Sequence, residues 1–317
     1  MTVLLHYDRT DLFVDLVQSR FPAIQVRCCN TYADLPAALD SFSPKVLFLI
    51  KFEDQPYPRD AVMACRSLRW VSNGGVGIDH LMPWDPGRLT VTNAAGVASE
   101  VMAYYVLGGI IALTMRLPHF LRRQLEHDWE AGYVGCVAGR IVTVLGLGHT
   151  GRAVARLATA TGLKVVGTRA NPGPTEHVDR VYGPSELYEA LGQGDYVVIT
   201  VPLLEGTKHM IDVAAIEAMK PGAFLIDVSR GGVVDAAALL AGVQSGKLGG
   251  AMLDVFEHEP IPSDSPLWDM ENVIITPHCS SVYEGWERKT AEMFCDNLDR
   301  WLAGEPLENV VDPVRGY

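Results

Sequence analysis

The chain has 317 residues, of which 48% are hydrophobic and 20% charged, and its formal net charge is -12. At about 100 to 200 residues per domain, this length holds two domains with substantial cores. The composition excludes disordered and fibrous proteins. An acidic chain with no local basic patch repels a phosphate backbone, so we expect no nucleic acid partner.

No segment of the sequence has the length or composition of a membrane anchor or a secretion signal. The longest charge-free apolar run, 101–115, has fifteen residues, fewer than the roughly 20 that cross a bilayer, and it predicts a buried helix. The N-terminus has early charges and no small-residue cleavage pattern, so we expect a cytoplasmic protein. The six cysteines form no CxxC pair, and no histidines lie at metal spacing, which predicts no metal site.

The first hundred residues alternate short β-rich runs with helix-like segments, which is typical of a parallel sheet covered by helices on both faces. The β-rich runs are 3–6, 24–26, 45–50, 68–72 and 89–93, and the helix-like segments lie near 10–20, 31–39 and 59–65. A long helix from about 98 to 117 is predicted next, followed by the polar stretch RRQLEHDWEAG.

A second series of strands is predicted between 141 and 276. Its six apolar runs lack strict alternation, as expected of strands buried on both faces; they are IVTVLG, LKVVGT, DYVVITV, AFLIDVS, GGAMLDV and NVIITP. A last helix, about 282–302, lies too far beyond the final strand to be one of its crossovers. We therefore predict two α/β domains: residues 1–97, completed by 285–317, and residues 98–284.

A glycine motif follows the first strand of the second series and opens a helix. In GLGHTG, Gly146 would make the tight turn, Gly148 would let the backbone approach a pyrophosphate, and Gly151 would let helix and strand pack closely. A glycine-rich turn with no ligand is the alternative. The context of strand and helix favours a dinucleotide.

The next strand ends at Thr168 and Arg169, eighteen residues after Gly151. NAD-binding chains place an acidic residue at about this distance for the ribose hydroxyls. A guanidinium cannot accept those hydroxyl protons but can bind a 2′-phosphate, so Arg169 points to NADP. The alternative is an exposed arginine at a strand end with no ligand role.

Three polar stretches follow the carboxyl ends of the last three predicted strands, where ligands bind in open α/β sheets. They are DVSRGGVVD with Arg230, LDVFEHEP with Glu259, and ITPHCSS with His278. Beside a nicotinamide, these residues would supply a substrate anchor, an orienting acid and a proton donor. Each alone could equally be a solvated loop residue.

Together these motifs resemble the D-isomer-specific 2-hydroxyacid dehydrogenase family over nearly the whole chain. The resemblance also rests on NGGVGIDHL at 73–81, TVPLLEGTKHMI at 200–211 and AMKPGAFLIDVSRGGVVD at 218–235. Within the family, the sequence is most similar to the glyoxylate and hydroxypyruvate reductases, which often use NADPH. The fold implied is a Rossmann-type dinucleotide-binding domain and a flavodoxin-like, discontinuous substrate domain, with the active site in the cleft between them.

The resemblance implies a role for each site residue. Arg230 would hold the carboxylate and carbonyl of the substrate, His278 would be the general acid, and Glu259 its partner. Backbone N–H groups of Gly75, Val76 and Gly77 would bind the carboxylate. The implied dinucleotide contacts are Met102, Gly146, Gly148, His149, Thr150, Gly151, Thr168, Arg169, Val201, Pro202, Thr207, Val228, Ser229, Asp254 and Ser280.

The function predicted is therefore reduction of a small 2-keto acid to the D-2-hydroxy acid, with NADPH preferred and NADH possible. A homodimer through the apolar helix of 101–115 and its flanks is also expected, because one face of that helix can cover the dinucleotide domain and the remainder needs another partner. The side-chain pocket for the substrate would involve the loop FEDQPYP, 52–58, and the C-terminal helix.

The residues leave two alternative functions open. One is a dehydrogenase of the same fold for another small acid, such as formate, phosphite or phosphoglycerate, although formate enzymes place Gln where Glu259 stands. The other is a dinucleotide-sensing binding module of the C-terminal-binding co-repressor type, which retains a similar catalytic set. Turnover of glyoxylate would distinguish an enzyme from this module, because a sensor would bind NADPH and consume a negligible amount of it.

Overall fold

The chain divides into two compact units in a computed structural model that describes residues 1–52 and 55–313. Unit 1 is 1–97 with 284–317, and unit 2 is 98–283. Two residues of the predicted substrate loop 52–58, Glu53 and Asp54, lie outside the described residues, as does 314–317.

Unit 1 contains a five-stranded parallel sheet. Its strands are β1 Thr2–His6, β2 Gln25–Cys29, β3 Val46–Leu49, β4 Trp70–Asn73 and β5 Thr90–Thr92, and the crossovers include α1 Val14–Arg20, α2 Leu35–Phe42 and α3 Arg59–Ala64. The strand order, β2-β1-β3-β4-β5, is the flavodoxin-like order of doubly wound folds. Every residue of β3 and β4 is buried. β3 is apolar throughout, as expected of a strand buried on both faces, whereas β4 ends in the buried polar residues Ser72 and Asn73.

Unit 2 contains a seven-stranded parallel sheet. Its strands are β6 Ile141–Leu145, β7 Lys164–Thr168, β8 Arg180–Tyr182, β9 Tyr196–Ile199, β10 Ala223–Asp227, β11 Leu248–Leu253 and β12 Val273–Ile275. Its helices are α4 Ser99–Thr114, α5 Leu117–Leu125, α6 His149–Ala160, α7 Leu187–Leu191, α8 Val213–Ala218 and α9 Ala236–Gln244. The order, β12-β11-β10-β9-β6-β7-β8, extends the Rossmann order by one strand.

The last helix, α10 Trp286–Ala303, belongs to unit 1 although it follows unit 2 in the chain. Phe294 stacks on Phe48 of β3 with ring centroids 4.8 Å apart, and it lies 5.3 Å from the Trp70 ring of β4. These contacts bury one face of α10 in the core of unit 1.

Two elements of unit 2 differ from the sequence predictions. The strand β8 was missed, because it has three residues and lies at the sheet edge with Arg180 exposed. A single helix was predicted over 98–117, but α4 ends at Thr114 and a second helix, α5, begins at Leu117. Pro118 explains the break, because its ring and missing N–H cannot continue a helix but are tolerated in a first turn.

Within the described ranges, no single helix is long and apolar enough to cross a membrane. Only together do α4 and α5 reach the length and apolar composition of a membrane span, and they are bent by 65° at their junction.

Candidate active site

The glycine turn of unit 2 lies at the carboxyl end of β6, between β9 and β7, where the strand order reverses. Ligands of open α/β sheets bind at the carboxyl ends of strands beside such a reversal. Gly146 has φ +96°, a left-handed conformation that favours glycine. A Cβ on Gly151 would lie 1.9 Å from the carbonyl oxygen of Gly146, so α6 can begin this close to the turn only with glycine there.

The residues of this turn fit the pyrophosphate of a dinucleotide. A Cβ on Gly148 would meet nothing within 4 Å, so a ligand can approach the backbone there. No side chain in the described part of the chain caps the first amides of α6, and free amides at a helix N-terminus bind anions. Burial lowers the pKa of His149, and the nearby charge of Arg152 adds to the effect. Both effects disfavour the charged form of His149, so the helix amides are the groups of this turn best suited to hold an anion.

Arg169 follows β7, the neighbour of β6. The N–H of Gly146 donates to the carbonyl of Thr168 over 3.2 Å, so the residue before Arg169 touches the glycine turn. The N–H of Arg169 donates to the carbonyl of Tyr182 over 3.1 Å, which fixes the backbone at this point. Its side chain is exposed and has no hydrogen-bond or ion-pair partner in the described part of the chain. A free guanidinium here can bind a phosphate.

His278 and Glu259 form a hydrogen-bonded pair at the same edge of the sheet. Nδ1 of His278 lies 2.8 Å from Oε2 of Glu259, and Oε1 of Glu259 accepts the N–H of Phe256 over 2.9 Å. The carboxylate is thus fixed at both oxygens. It holds the imidazole by Nδ1 and so fixes the orientation of the ring. Nε2 has no partner among the described residues, so it is available to a substrate.

Arg230 follows β10, which lies beside β11 in the sheet. Its Nη1 donates to the carbonyl of Ser229 over 2.7 Å, and the rest of the guanidinium is available to an anion. A Cβ on Gly231 would lie 1.8 Å from the carbonyl oxygen of Phe256, so the Arg230 segment packs directly against the backbone of the loop that ends at Glu259. An anion-binding group and an acid pair therefore lie on adjoining loops.

A buried carboxylate, Asp254, anchors the loop that carries His278. Its Oδ1 accepts the hydroxyl of Thr276 over 2.7 Å and the N–H of Cys279 over 2.9 Å, and its Oδ2 accepts the N–H of Ser280 over 2.9 Å. His278 has φ +51°, which is uncommon for a residue with a side chain. Such a conformation persists where the surroundings impose it, and the bonds to Asp254 do so on both sides of His278.

The three residues predicted to bind the substrate carboxylate lie in unit 1, directly after β4. The carbonyl oxygens of Gly75, Val76 and Gly77 all accept hydrogen bonds from within the unit. Their N–H groups donate none to the described residues. A run of free amides is an anion-binding feature.

The other predicted dinucleotide contacts lie in unit 2, in the first turns of α4 and α6 and in the loops after β9, β10, β11 and β12; they are Met102, Thr150, Val201, Pro202, Thr207, Val228, Ser229, Asp254 and Ser280. Some of their polar groups are already engaged. The hydroxyl of Thr207 donates to the carbonyl of Pro202 over 2.6 Å, and that of Thr150 lies 3.8 Å from Sδ of Met102. These side chains shape the loops around the glycine turn.

Comparison with known proteins decides the family. The family profile described as D-isomer specific 2-hydroxyacid dehydrogenase, NAD binding domain, matches residues 107–280, which include the glycine turn, Arg230, Glu259 and His278. The chain belongs to the D-isomer specific 2-hydroxyacid dehydrogenase family. This confirms the resemblance, the fold class and the predicted class of enzyme, an NAD(P)-dependent 2-hydroxyacid dehydrogenase.

Two curated relatives are named as a reductase and a dehydrogenase. A glyoxylate reductase of Korarchaeum cryptofilum is 33% identical over 274 residues, which are 83% of this chain and 82% of the relative. An (S)-sulfolactate dehydrogenase of Chromohalobacter salexigens is 34% identical over 281 residues, which are 86% of this chain and 90% of the relative.

Solved structures share the fold over the full length. A D-isomer specific 2-hydroxyacid dehydrogenase of Xanthobacter autotrophicus, in complex with NADPH and MES, has a TM-score of 0.85 and 32% identity, with 99% of each chain covered. An NADPH-dependent glyoxylate/hydroxypyruvate reductase of Sinorhizobium meliloti, in complex with NADP and sulfate, has a TM-score of 0.84 and 25% identity, covering 100% of this chain and 99% of that one.

Sequence reasoning about this dehydrogenase missed Tyr105 of α4. Its hydroxyl contacts the hydroxyl of Thr276 and lies 3.5 Å from Oδ1 of Asp254, so it braces the anchor of the His278 loop. Burial raises the pKa of Tyr105, which keeps it a neutral phenol. In the sequence it stands inside an apolar run, where no pattern separates it from core residues.

The dehydrogenase also buries a second carboxyl group, Asp227, at the end of β10. Its Oδ1 accepts the N–H of Ser229 over 2.9 Å and the hydroxyl of Ser229 over 2.6 Å, which shapes the turn before Arg230. Burial raises the pKa of Asp227 to about 7; the bonds from Ser229 oppose this shift, and the charge of Asp254 adds to it.

We expect Asp227→Asn to stabilise unit 2 increasingly as the pH rises. Because the pKa is higher in the fold than in the unfolded chain, wild-type stability is full below about pH 4 and is lost as pH rises through about 7. At roughly 1.4 kcal/mol per pH unit, the loss reaches roughly 4 kcal/mol at most. Asparagine keeps an acceptor for Ser229 and has no charge to bury. Urea unfolding at pH 5 and pH 8 measures this; a difference between the proteins that does not change with pH would contradict it.

Proposed function

We propose that this dehydrogenase reduces a small 2-keto acid of the glyoxylate or hydroxypyruvate type to the D-2-hydroxy acid, with NADPH as the preferred reductant. The observation that carries the proposal is the pair of His278 and Glu259, 2.8 Å apart. The two residues lie on loops that follow neighbouring strands, at the sheet edge of the glycine turn, and the Glu259 loop packs against the segment of Arg230. The names of the relatives from Korarchaeum and Sinorhizobium support this substrate class.

Each residue has a role in this proposal. NADPH supplies the hydride that the substrate carbon accepts. Nε2 of His278 donates the proton to the carbonyl oxygen, and Glu259 holds the imidazole in place. Arg230 binds the carboxylate and carbonyl, which fixes the carbonyl for reaction. The amides of 75–77 bind the carboxylate, so unit 1 is the substrate domain and unit 2 the dinucleotide-binding domain.

Initial rates test the substrate class. Purified protein is assayed with NADPH and with NADH against glyoxylate, hydroxypyruvate, pyruvate, phenylpyruvate, branched 2-keto acids and, because of the Chromohalobacter relative, sulfopyruvate. We expect the highest kcat/KM for glyoxylate or hydroxypyruvate with NADPH. Glycolate has no stereocentre, so chiral analysis of the glycerate formed from hydroxypyruvate tests the D configuration. A clear preference for sulfopyruvate or a bulky keto acid, or L-glycerate as product, would overturn the proposal.

We also propose a homodimer formed through one apolar surface of unit 2. Large apolar side chains on α4, α5 and the segment after it are exposed, and Trp129 and Tyr133 are each 97% exposed; the others are Tyr104, Leu117, Leu121 and Leu125. Monomeric proteins rarely leave large contiguous apolar patches exposed, and these six side chains all lie within 104–133. A symmetric dimer covers the same patch on both copies.

Light scattering at micromolar concentration is expected to give twice the chain mass of 34.6 kDa. Trp129→Glu should shift the mass towards the monomer, since a charge would be buried in the interface. Tyr188→Glu is the matched control, because Tyr188 is 54% exposed on α7, outside the patch. A wild-type mass of 34.6 kDa would refute the dimer.

A further inference from the structure

We propose that Asn73 and Asn93 are positioning residues for the substrate carboxylate. Their side-chain amides hold the carbonyls of 75–77 towards the interior of unit 1, and the N–H groups of the segment face outward as a result. The inference rests on the proposed function, which assigns these N–H groups to the carboxylate.

Asn73 is the last residue of β4 and is 2% exposed. Its Nδ2 donates to the carbonyl oxygens of both Gly75 and Gly77, each over 2.9 Å. Its Oδ1 is buried and has no partner within the described residues. Leaving a buried acceptor unpaired destabilises a fold. Asn73 thus orders the segment although its own side-chain oxygen has no hydrogen-bond donor among the described residues. Buried polar atoms without a partner are expected mainly at functional sites.

Asn93 fixes the carbonyl between these two. It follows β5, the neighbour of β4, and its Nδ2 donates to the carbonyl oxygen of Val76 over 3.0 Å. Its Oδ1 accepts the N–H of Ala95 over 3.1 Å, which holds the side-chain amide in this orientation. The N–H of Ala94 adds a second bond to the carbonyl of Gly75 over 3.1 Å. Three successive carbonyls are therefore held from one side.

The orientation of the N–H groups follows from peptide geometry. In a trans peptide the carbonyl oxygen of one residue and the N–H of the next point in opposite directions. Inward carbonyls of Gly75 and Val76 therefore turn the N–H groups of Val76 and Gly77 outward, where the described residues offer them no acceptor. The segment 73–78 contains no cationic side chain, so its attraction for an anion depends on how these amides are aligned.

Leucine substitutions test the proposal, because leucine is close to asparagine in shape, carries no charge and cannot donate a hydrogen bond. For Asn73→Leu and Asn93→Leu we expect the KM for glyoxylate to rise about tenfold or more, as for weakened hydrogen bonds to a charged group. kcat should stay within about threefold, because the carboxylate is bound equally in the ground and transition states. The Kd for NADPH should not change.

Asn297→Leu is the matched control. Asn297 is also 2% exposed in unit 1, and its side-chain amide bonds both the carbonyl and the N–H of Glu308, over 3.0 and 2.8 Å. It measures the effect of losing a buried amide away from 75–77. A second readout is methyl glyoxylate, whose carboxyl group is uncharged. Its kcat/KM should change little in the two variants, whereas that for glyoxylate falls.

Equal rises in KM for the control and the two variants, or equal losses for glyoxylate and its ester, would overturn the inference. If the leucine variants do not fold, Asn93→Asp, which keeps the acceptor for Ala95, is compared with Asn297→Asp in the same assays.

Hydrogen exchange of wild-type protein with NADPH gives an independent measurement. Oxamate, an unreactive analogue of glyoxylate, should slow exchange at Val76 and Gly77, and unchanged exchange counts against the inference. A wild-type enzyme that reduces no 2-keto acid would instead refute the proposed function.

Discussion

Replacing His278 with asparagine or alanine is expected to lower kcat for 2-keto acid reduction by about two to four orders of magnitude, the range for loss of a general acid. The geometry supports this size of effect, because Nε2 has no partner among the residues that the structure describes, while Nδ1 is held 2.8 Å from Glu259. The Kd for NADPH should change little, since the glycine turn and Arg169 lie on other strands. Stopped-flow single turnovers and fluorescence titration with NADPH measure the two quantities.

The choice of substitutions separates chemistry from backbone strain. At φ +51° asparagine is tolerated better than alanine, so equal losses in both variants point to the missing proton donor. His258→Ala is the control within the same loop as Glu259, because His258 is exposed and bears no assigned role. A His278→Asn enzyme with nearly wild-type kcat would exclude His278 as the acid.

Glu259→Gln examines the partner of that acid. Glutamine keeps an amide oxygen that can accept the N–H of Phe256, but its bond to Nδ1 of His278 is no longer charge-assisted. We therefore expect kcat for 2-keto acid reduction to fall by about tenfold while the Kd for NADPH stays the same, as measured by single turnovers and fluorescence titration. A wild-type kcat in a folded Glu259→Gln variant would reject the pairing.

The arrangement of the active-site loops could be predicted from sequence because it depends on local patterns. Apolar runs marked β10, β11 and β12, and the carboxyl ends of parallel neighbours meet at one edge. The positions of Arg230, Glu259 and His278 directly after these runs were therefore sufficient to bring them together. The glycine motif is equally local, since Gly146 and Gly151 meet across five residues.

The features that escaped prediction depend on contacts between distant segments. Asn93 reaches a carbonyl seventeen residues earlier, and Asp254 binds a loop more than twenty residues later; neither spacing leaves a periodic signal. The left-handed φ of His278 is held by those bonds, and the enrichment of histidine in this conformation does not by itself predict it. β8 is three residues long at an edge, so its apolar content is too small to register as a strand.

Replacing Arg169 with aspartate is expected to reverse the cofactor preference. The exposed guanidinium would bind the 2′-phosphate through charge-assisted hydrogen bonds, each contributing about 1.5 to 3 kcal/mol, with the lower value suited to a solvated site. Aspartate removes these bonds and places a negative charge against the phosphate. For NADH, the new carboxylate accepts the ribose hydroxyls, as the acidic residue at this position does in NAD-binding folds.

We therefore expect the ratio of kcat/KM for NADPH to that for NADH to fall by about a hundredfold or more, from at least tenfold per lost hydrogen bond and the added repulsion. Lys164→Asp is the matched control, since Lys164 is an exposed cation at the opposite end of the same strand and its replacement makes the same change in charge. A long-range effect of net charge would weaken NADPH binding equally in both variants, whereas recognition of the phosphate by Arg169 weakens it only in Arg169→Asp. Equal losses for NADPH and NADH in Arg169→Asp would show that this side chain does not distinguish the two cofactors.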